Sequence, residues 1–419
     1  EWKTLCVFGL GAGGREYYCL DITDPEDPRM LWSFAGVANN PLGETWSVPA
    51  LGRFGPVGGS YPHGVFGAVF GSGFNLNPAY PDPTAIGKSV FIVNLTETTA
   101  GQPTVMAWRR LAADTSQTQF GATPTSLVSD IGNCFFAPPV LYESPTDLDD
   151  LADKIYIGDY DGDLYRVILD PTNLANSTGD RIFRGKNGTP IYSVPYVAEY
   201  YFQGAGKKTL LAFTEYGRPA DAAYPPRLPG VTYVLVEENL PNALVTAGEL
   251  VASTGTGSSF NPATSKGFYY QFTSAAEGES SPFRPTIFWN DNRVWMGVTS
   301  YKFFPNAVPG YNCDPETHTV GAGHSMAYIF NLTNGNFFNT AGGQKLGEGT
   351  TFYGRASAFH KGARGEGWLD IGTGEMWGWG YSQSHDKFEK FDAAAGNLEA
   401  DMNPTASVEI RSNYWREFK

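Results

Sequence analysis

Leu5-Cys-Val-Phe-Gly-Leu-Gly-Ala-Gly-Gly-Arg-Glu-Tyr-Tyr-Cys-Leu-Asp-Ile-Thr-Asp-Pro-Glu-Asp-Pro-Arg-Met-Leu-Trp-Ser-Phe34 is the stretch that decides the fold, because it contains one complete structural unit. An extended apolar run leads into the glycine-rich turn at residues 11–14. A second extended run ends at Asp21, and a third closes on Trp32 and Phe34. Short apolar runs bounded by Gly, Pro, Asn and Asp are typical of antiparallel strands. The stretch therefore predicts strands joined by tight turns.

The same unit recurs along the chain. Later copies begin at Trp46-Ser-Val-Pro-Ala50, Phe135-Phe-Ala-Pro-Pro-Val-Leu141, Tyr192-Ser-Val-Pro-Tyr-Val197 and Pro282-Phe-Arg-Pro-Thr-Ile-Phe288. Four short strands per copy, at a period of roughly 50–60 residues, indicate a β-propeller. We predict an all-β fold, a modified, quinoprotein-like β-propeller of about seven blades, formed by residues 1–419 as a single domain. The Gly-, Pro- and Asn-rich intervals 72–87, 216–230, 302–324 and 339–352 are predicted to be long inter-strand loops.

The composition agrees with this fold class. The 419 residues include 50 glycines and 29 prolines, and only 17% are charged. Helical bundles, coiled coils and doubly wound α/β folds need long segments poor in Gly and Pro. A hydrophobic content of 42%, with 28 Phe, 23 Tyr and 10 Trp, is ample for a packed core and argues against disorder.

The net charge indicates which classes of binding partner the protein can have. The formal charge is −14, and an acidic surface repels phosphate backbones and anionic lipid while it attracts cations such as calcium. We therefore expect no nucleic-acid partner. No run of 18 apolar residues occurs, so we expect no membrane span. The chain begins with Glu1-Trp2-Lys3 in a strand-like run without a signal peptide, and we expect it to be a mature region or an excised domain, with any export signal upstream.

Two of the four cysteines flank the first turn. If that turn centres between Ala12 and Gly13, the antiparallel register places Cys6 opposite Cys19. Directly opposed strand residues have Cβ atoms about 4.5–5.5 Å apart, within reach of a disulfide after local adjustment. Cys6–Cys19 is therefore a disulfide candidate, and two buried thiols are the alternative.

No catalytic motif is convincing, and we predict that the chain is not an enzyme. The residues 9–14 match GxGxxG, but the run that follows is aromatic and β-branched and is stopped by Pro25, whereas the dinucleotide motif needs a helix there. The five histidines are scattered, and there is no GxSxG or P-loop. A quinoprotein-like propeller enzyme remains an alternative, because such sites are assembled from distant blades. A carbohydrate- or surface-binding propeller is another.

The most acidic stretch runs from Glu143 to Asp170 and holds nine carboxylates in 28 residues. Calcium takes six to eight oxygen ligands, which a loop supplies best from alternate positions. The first candidate set is Asp147, Asp149, the Leu151 carbonyl and Asp153. A second set, with EF-hand spacing, is Asp159, Asp161, Asp163 and Asp170, although Leu164 stands where that loop requires Gly. Asp161-Gly162 is also a hairpin signal, and a solvated acidic loop is the third interpretation.

Three segments together resemble the C-terminal propeller of the PilY/PilC family, the type IV pilus tip-associated biogenesis factors and adhesins. They are residues 4–34, which are similar to GLGAGGRGxxALDVTDPxxPxxLWEF; Leu42-Gly-Glu-Thr-Trp-Ser-Val-Pro49 with Val69-Phe-Gly-Ser-Gly-Phe-Asn75, which are similar to LGYTWSxP…VFGNGYN; and Tyr156-Ile-Gly-Asp-Tyr-Asp-Gly-Asp-Leu-Tyr-Arg166, which is similar to YAGDLxGNLWR. Weaker likeness extends the match to about residues 2–335.

The resemblance implies that residues 1–419 are the C-terminal part of a longer secreted protein. It implies a non-catalytic domain at a pilus tip or on the outer membrane of a bacterium. It implies roles in pilus biogenesis, attachment and twitching motility, with minor pilins and a host or abiotic surface ligand as partners.

The resemblance also implies calcium at a DxDxDGxxD loop just before the third segment. Aligned on Asp153, Asp147 and Asp149 take the third and fifth ligand positions. The first position is Pro145 and the sixth is Asp150 rather than Gly, so the loop is degenerate, with Glu143 and Asp150 as compensating candidates.

Overall fold

The computed structural model is built almost wholly from short antiparallel strands. It describes residues 2–38, 40–56, 64–75, 86–110, 118–119, 134–144, 149–217, 228–241, 243–255, 257–272, 279–281, 284–290, 293–302, 324–337, 346–349, 368–369, 376–382, 387–392 and 397–399. Within them, the helical elements are three 3-10 turns, Leu174–Asn176, Glu237–Asn239 and Ala247–Glu249. The predicted all-β class is confirmed. No helix in the part described is long and apolar enough to cross a membrane.

The strands fall into several open sheets, in which most neighbouring strands are consecutive in the chain and antiparallel. The first sheet is β1 (Leu5–Gly9), β2 (Tyr17–Asp21) and β3 (Arg29–Phe34), followed by a small ribbon of β4 (Gly36–Val37) and β5 (Asn40–Pro41). The second is β6 (Ala50–Phe54), β7 (Val65–Gly71), β8 (Ser89–Thr99) and β9 (Gln102–Arg110). The third is β11 (Val140–Tyr142), β12 (Lys154–Gly158), β13 (Asp163–Ile168) and β14 (Thr178–Arg184), with β10 (Thr118–Gln119) and β18 (Val245–Thr246) beside β14.

The remaining sheets repeat this plan. The fourth is β15 (Tyr196–Phe202), β16 (Gly206–Glu215), β17 (Val231–Val236) and β20 (Gly267–Gln271), with β19 (Val251–Ala252). The fifth is β21 (Thr286–Asn290), β22 (Arg293–Lys302), β23 (His324–Asn331) and β24 (Asn336–Phe337), with β25 (Leu346–Gly349). The sixth is β26 (Trp368–Leu369), β27 (Met376–Ser382), β28 (Lys387–Asp392) and β29 (Asn397–Glu399).

The hydrophobic core lies between consecutive sheets. Phe70 and Phe91 of the second sheet pack with the first, whereas Val69 and Ile92, one residue along each strand, pack with the third. Successive side chains of a strand point to opposite faces, so a sheet covered on both faces has continuous apolar strands. The first strands β6, β11, β15 and β21 contact one another in that order. The central sheets therefore pack face to face in chain order, and each buries both of its faces.

An ion-pair network joins the third and fourth sheets at their edges. Glu237, which follows β17, accepts from Lys154 Nζ at 2.9 Å and from Arg166 Nη1 at 3.2 Å, and Arg166 also reaches Asp180 at 3.0 Å. Burial alone would raise the pKa of Glu237, but the hydrogen bond and charge of Lys154, with the charge of Arg166, hold it below the usual 4.5. The Glu237 carboxylate is therefore ionised and satisfied at neutral pH.

We expect Glu237→Gln to lower the free energy of unfolding by about 1–2 kcal/mol at pH 7, since two charge-assisted hydrogen bonds become neutral ones. Because the folded-state pKa is depressed, the stabilisation is present above pH 4.5 and disappears as the pH falls through the folded value. The difference in the free energy of urea unfolding between wild type and Glu237→Gln should therefore vanish in acid. A difference that stays constant from pH 7 to pH 3 would contradict the assignment.

The Cys6–Cys19 prediction is wrong in register by one residue. Cys6 lies opposite Leu20, and Cys19 lies opposite Val7. Adjacent residues of a strand face opposite sides of the sheet, so the two thiols point away from each other. Both are free cysteines in the structure; Cys19 is fully buried, and burial raises the pKa of its thiol to about 12.

Residues 9–14, which match GxGxxG, lie at the turn of an antiparallel hairpin. Strand β2 follows the glycine turn, and Gly11 adopts a positive φ of 57° within the hairpin. The hairpin is confirmed. The predicted long loops fall largely outside the described residues, and the number of blades stays a prediction.

Candidate functional site

The predicted calcium loop lies in the connection between β11 and β12. Asp147 is outside the described residues. Asp149 Oδ1 accepts the Leu151 N–H at 2.9 Å, and Asp153 Oδ2 accepts the Ser144 N–H at 2.5 Å. Asp150 has a φ of 61°, and its carboxylate is 4.0 Å from Arg53 Nη1. In the part of the chain that is described, no three His, Cys, Asp or Glu side chains are placed to hold a metal ion. The described carboxylates of this loop thus act in turns and an ion pair, and Glu143 is half-buried beside them.

The EF-hand alternative is excluded by its geometry. Asp163 Oδ2 pairs with Arg181 at 2.7 Å at the start of β13. Asp170 lies beyond the other end of that strand, where its Oδ1 accepts from the Thr172 amide and hydroxyl. Because β13 separates these carboxylates, they cannot converge on one ion.

The Asp161-Gly162 pair forms the predicted hairpin between β12 and β13. Asp159 is fully buried, and its Oδ1 accepts the N–H groups of Asp161 at 3.0 Å and Asp163 at 2.8 Å. Gly162 supplies the positive φ, 81°, that the turn requires. Burial raises the pKa of Asp159, and the neighbouring Asp163 and Asp161 charges act in the same direction. The two hydrogen bonds that Asp159 Oδ1 accepts fix the turn.

Glu215 is a second buried carboxylate that sequence reasoning missed. It closes β16 and is 0% exposed. Its two oxygens accept five hydrogen bonds, from the amides of Lys186, Asn187 and Thr189, the Thr189 hydroxyl and the Tyr233 hydroxyl, at 2.5–3.2 Å. It thereby holds the 185–190 loop of the third sheet against the fourth. The available signal was an acidic residue at the end of the apolar run Leu210-Leu-Ala-Phe-Thr-Glu215.

Aromatic side chains line the same end of the second, third and fourth sheets. We call them the aromatic row: Phe74, Phe136, Tyr160, Tyr192 and Tyr216. Ring centroids within the row are 5.4 Å apart for Phe74–Tyr160, 5.0 Å for Phe136–Tyr192 and 4.9 Å for Tyr192–Tyr216. Tyr160 and Tyr192 are 37% and 41% exposed. Trp46 is half exposed and lies near the row. Its indole N–H donates to the Glu44 carboxylate, and the Glu44 backbone pairs with Phe74. The row is thus a continuous aromatic surface that is partly open to solvent.

The two parts of the second resembling segment, residues 42–49 and 69–75, cross beneath one end of this row. Glu44 N–H donates to Phe74 O at 2.7 Å, and Phe74 N–H donates to Glu44 O at 2.8 Å. A Cβ on Gly43 would lie 2.2 Å from Phe74 O, and one on Gly73 would lie 2.2 Å from Glu44 O. Glycine at both positions is therefore a steric requirement of the crossing.

Sequence and structure comparisons point in one direction. A type IV pilus biogenesis factor PilY1 homolog of Xylella fastidiosa is 28% identical over 174 residues, which are 40% of this chain and 10% of that protein. The type IV pilus biogenesis factor PilY1 of Pseudomonas aeruginosa is 40% identical over 52 residues, 12% of this chain and 4% of that protein. The chain thus matches a tenth or less of the length of these curated relatives. No family model matches it.

The crystal structure of the P. aeruginosa PilY1 C-terminal domain superposes with a TM-score of 0.51 at 15% identity. The match covers 95% of this chain and 80% of that one. At this identity the superposition is informative about the fold alone.

The fold and the site together define the class of this protein. It is an all-β protein of several open sheets, in which buried carboxylates fix turns and loops. Within that class, the chain is similar to the C-terminal domain of PilY1, and the resemblance to the PilY/PilC family that the three sequence segments predicted is confirmed.

Proposed function

We propose that this chain is a β-propeller domain of a type IV pilus biogenesis factor and tip adhesin, secreted and displayed at the pilus tip or cell surface. Its role is non-catalytic: it supports pilus extension, attachment to surfaces and twitching motility. The observation that carries the proposal is the similarity to PilY1 in sequence, together with the fold match over 95% of the chain.

The chemistry of the buried acids supports a non-catalytic role. Asp159 and Glu215 accept hydrogen bonds from backbone amides, and Asp163 pairs with Arg181. A general base or nucleophile needs a carboxylate that can reach a substrate, whereas these are buried and engaged within the protein.

We assign the aromatic row as the surface that contacts the pilus tip complex, including minor pilins. Tyr and Trp are enriched in protein interfaces because each combines a large apolar ring with a polar atom that stays hydrated. The row is held rigidly by strand ends and by Glu215, so its rings are preorganised for binding.

The test uses the full-length protein in the bacterium that encodes it. Tyr160→Ser with Tyr192→Ser should lower surface attachment by about ten-fold, as expected for the loss of two interface aromatics. The control is Tyr201→Ser, because Tyr201 is 72% exposed at the far end of β15 from the row. Sheared pili quantify assembly, and adherent cells quantify attachment. Wild-type attachment and piliation in the double variant would remove the row from the proposal.

The quinoprotein-like enzyme is tested separately. Pyrroloquinoline quinone and calcium are added to the purified chain, and its absorption spectrum is recorded. Stoichiometric uptake of the quinone would contradict the non-catalytic role, and no uptake is expected.

Calcium binding by the loop of Asp147, Asp149, Leu151 and Asp153 is a further proposal, supported by the concentration of carboxylates there. We expect isothermal titration of calcium into the wild-type chain to give heat. Asp149→Ala should weaken binding by at least about ten-fold through the loss of one ligand. Asp170→Ala is the matched control, since its carboxylate lies beyond β13. No heat in wild type, or equal heat with Asp149→Ala, would rule out the site.

A further inference from the structure

The turn between β12 and β13 carries three carboxyl groups within five residues, those of Asp159, Asp161 and Asp163. Asp159 is 0% exposed and Asp163 is 3% exposed. The amides of Asp161 and Asp163 both donate to Asp159 Oδ1, so the three residues surround one point of the turn. When two carboxyl groups are buried in one site, the charge of each opposes the ionisation of the other, and one of them keeps its proton above the usual pH range.

The arginines beside the turn balance the charge of Asp163. Arg181 Nη1 lies 2.7 Å from Asp163 Oδ2, and Arg184 Nε lies 3.7 Å from Asp163 Oδ1. Burial raises the pKa of Asp163, but both arginines act against that rise. For Asp159, burial and the charges of Asp163 and Asp161 all raise the pKa, whereas the two hydrogen bonds from amides lower it. Asp159 is therefore the carboxyl group that keeps the proton.

Other titratable groups face the turn from neighbouring elements. Cys134, before β11, and Tyr192, before β15, are neutral at pH 7, because burial raises the pKa of each to about 12. Glu215 approaches the turn from the fourth sheet, since its Oε1 lies 3.0 Å from the place that a Cβ on Gly162 would take. None of these three groups is a cation. An ionised Asp159 would thus be buried close to several other carboxyl groups.

The same turn holds one ring of the aromatic row. Tyr160 directly follows Asp159, and its N–H donates to Cys134 O at 3.1 Å. The Asp159 N–H donates to Asp163 O, and the Ile191 N–H donates to Asp159 O, both at 3.0 Å. Local opening of the turn would bring the Asp159 carboxyl group into water and would release Tyr160 from its place.

We propose that Asp159 is a pH-sensitive switch: its protonated form keeps the turn closed and Tyr160 in the aromatic row, and loss of the proton opens the turn locally. Each opening releases one proton to solvent, because the carboxyl group of the open turn is ionised. A raised pKa in the closed state gives the sign of the effect. The stabilisation is complete below the ordinary value of 3.8 and is lost as the pH rises through the folded value.

Amide hydrogen exchange of the purified 419-residue chain tests the switch between pH 5 and pH 8, with rates corrected for the intrinsic pH dependence of exchange. The protection of the Asp161 and Asp163 amides should fall by about ten-fold per pH unit until the folded pKa of Asp159 is passed. The turn after Asp170 is the reference, because its carboxylate accepts the Thr172 amide and has a lowered pKa. Protection there should not change in this range. Constant protection of the Asp161 and Asp163 amides from pH 5 to pH 8 would overturn the proposal.

Two variants separate Asp159 from general effects of pH. Asp159→Asn keeps an oxygen that can accept both amides but cannot ionise, so the protection should lose its pH dependence. Asp161→Asn removes one of the charges that raise the pKa of Asp159, so the fall in protection should end at a lower pH. Asp170→Asn is the matched control and should keep the wild-type dependence.

The wild-type pH dependence in Asp159→Asn would also overturn the proposal. Should that variant fail to fold, the wild-type dependence in Asp161→Asn would do so. Exchange reports on the turn itself, so this result is distinct from the attachment assay, which tests whether the aromatic row contacts the pilus tip complex.

Discussion

Gly73→Ala is expected to lower the free energy of unfolding by about 3–5 kcal/mol, the sum of backbone strain and a steric clash. Gly73 has a φ of 93°, a conformation that residues with a Cβ rarely adopt. The new Cβ would also lie 2.2 Å from the Glu44 carbonyl oxygen. To relieve the clash, the two hydrogen bonds between Glu44 and Phe74 must lengthen or break. Urea unfolding monitored by Trp fluorescence gives the change.

The matched control is Gly101→Ala. Gly101 also has a positive φ, 75°, but no atom lies within 4 Å of the added Cβ. Its variant should lose only about 1 kcal/mol, which is the cost of the conformation without a clash. If both variants lost the same free energy of unfolding, the crossing of the two segments at Glu44 and Phe74 would have no steric requirement for glycine, contrary to our account.

Glu215→Ala is expected to lower the free energy of unfolding by about 4 kcal/mol. The substitution leaves the amides of Lys186, Asn187 and Thr189 and the Tyr233 hydroxyl without their acceptor. Each buried donor that loses its partner costs about 1–3 kcal/mol, and water entering the space recovers part of the sum. Hydrogen exchange should show the 185–190 loop opening first.

Glu215→Gln is the discriminating variant. It keeps the shape, but its NH2 group faces donors where the carboxylate presented an acceptor, so it should lose at least about 2 kcal/mol. Glu26→Ala, at an exposed position, should change the stability by less than about 0.5 kcal/mol. A Gln variant as stable as wild type would mean that the carboxylate does not accept hydrogen bonds at both oxygens.

The strand pattern was predictable because it depends on local sequence. The run from Lys154 predicts a strand, a turn at Asp161-Gly162 and a second strand, and the structure has β12, the turn and β13 in those places. The alternation that would reveal a one-sided sheet is absent, because the central sheets bury both faces. The strands therefore contain continuous apolar runs, such as Ile155–Ile157 in β12 and Leu210–Phe213 in β16, which are easy to recognise.

The register of the first hairpin was not predictable to one residue. The turn from Leu10 to Glu16 is longer than a two-residue hairpin, and its register depends on contacts outside it. The Thr45 hydroxyl and carbonyl accept hydrogen bonds from Leu10 and Gly11. A shift of one residue moves every side chain of a strand to the opposite face, which is why the predicted pairing of Cys6 with Cys19 fails.

The residues of the candidate site were likewise only partly predictable from the sequence. The sequence indicated the nine carboxylates between Glu143 and Asp170, because a cluster of acidic residues close together in the chain can be read directly from the sequence. It gave no means of separating acids that fix turns, such as Asp159, from acids available to a ligand. It also missed Glu215, because the amides that bind this residue come from a loop about 28 residues away in the chain.

By itself, the sequence determined the all-β class, the hairpins and the similarity to the PilY/PilC family, because strands, turns and motifs are set by residues close together in the chain. Only the tertiary structure decided which carboxylates are structural and which aromatic rings form a continuous surface. Those properties depend on contacts between sheets, where residues far apart in the chain determine burial, hydrogen-bond partners and register.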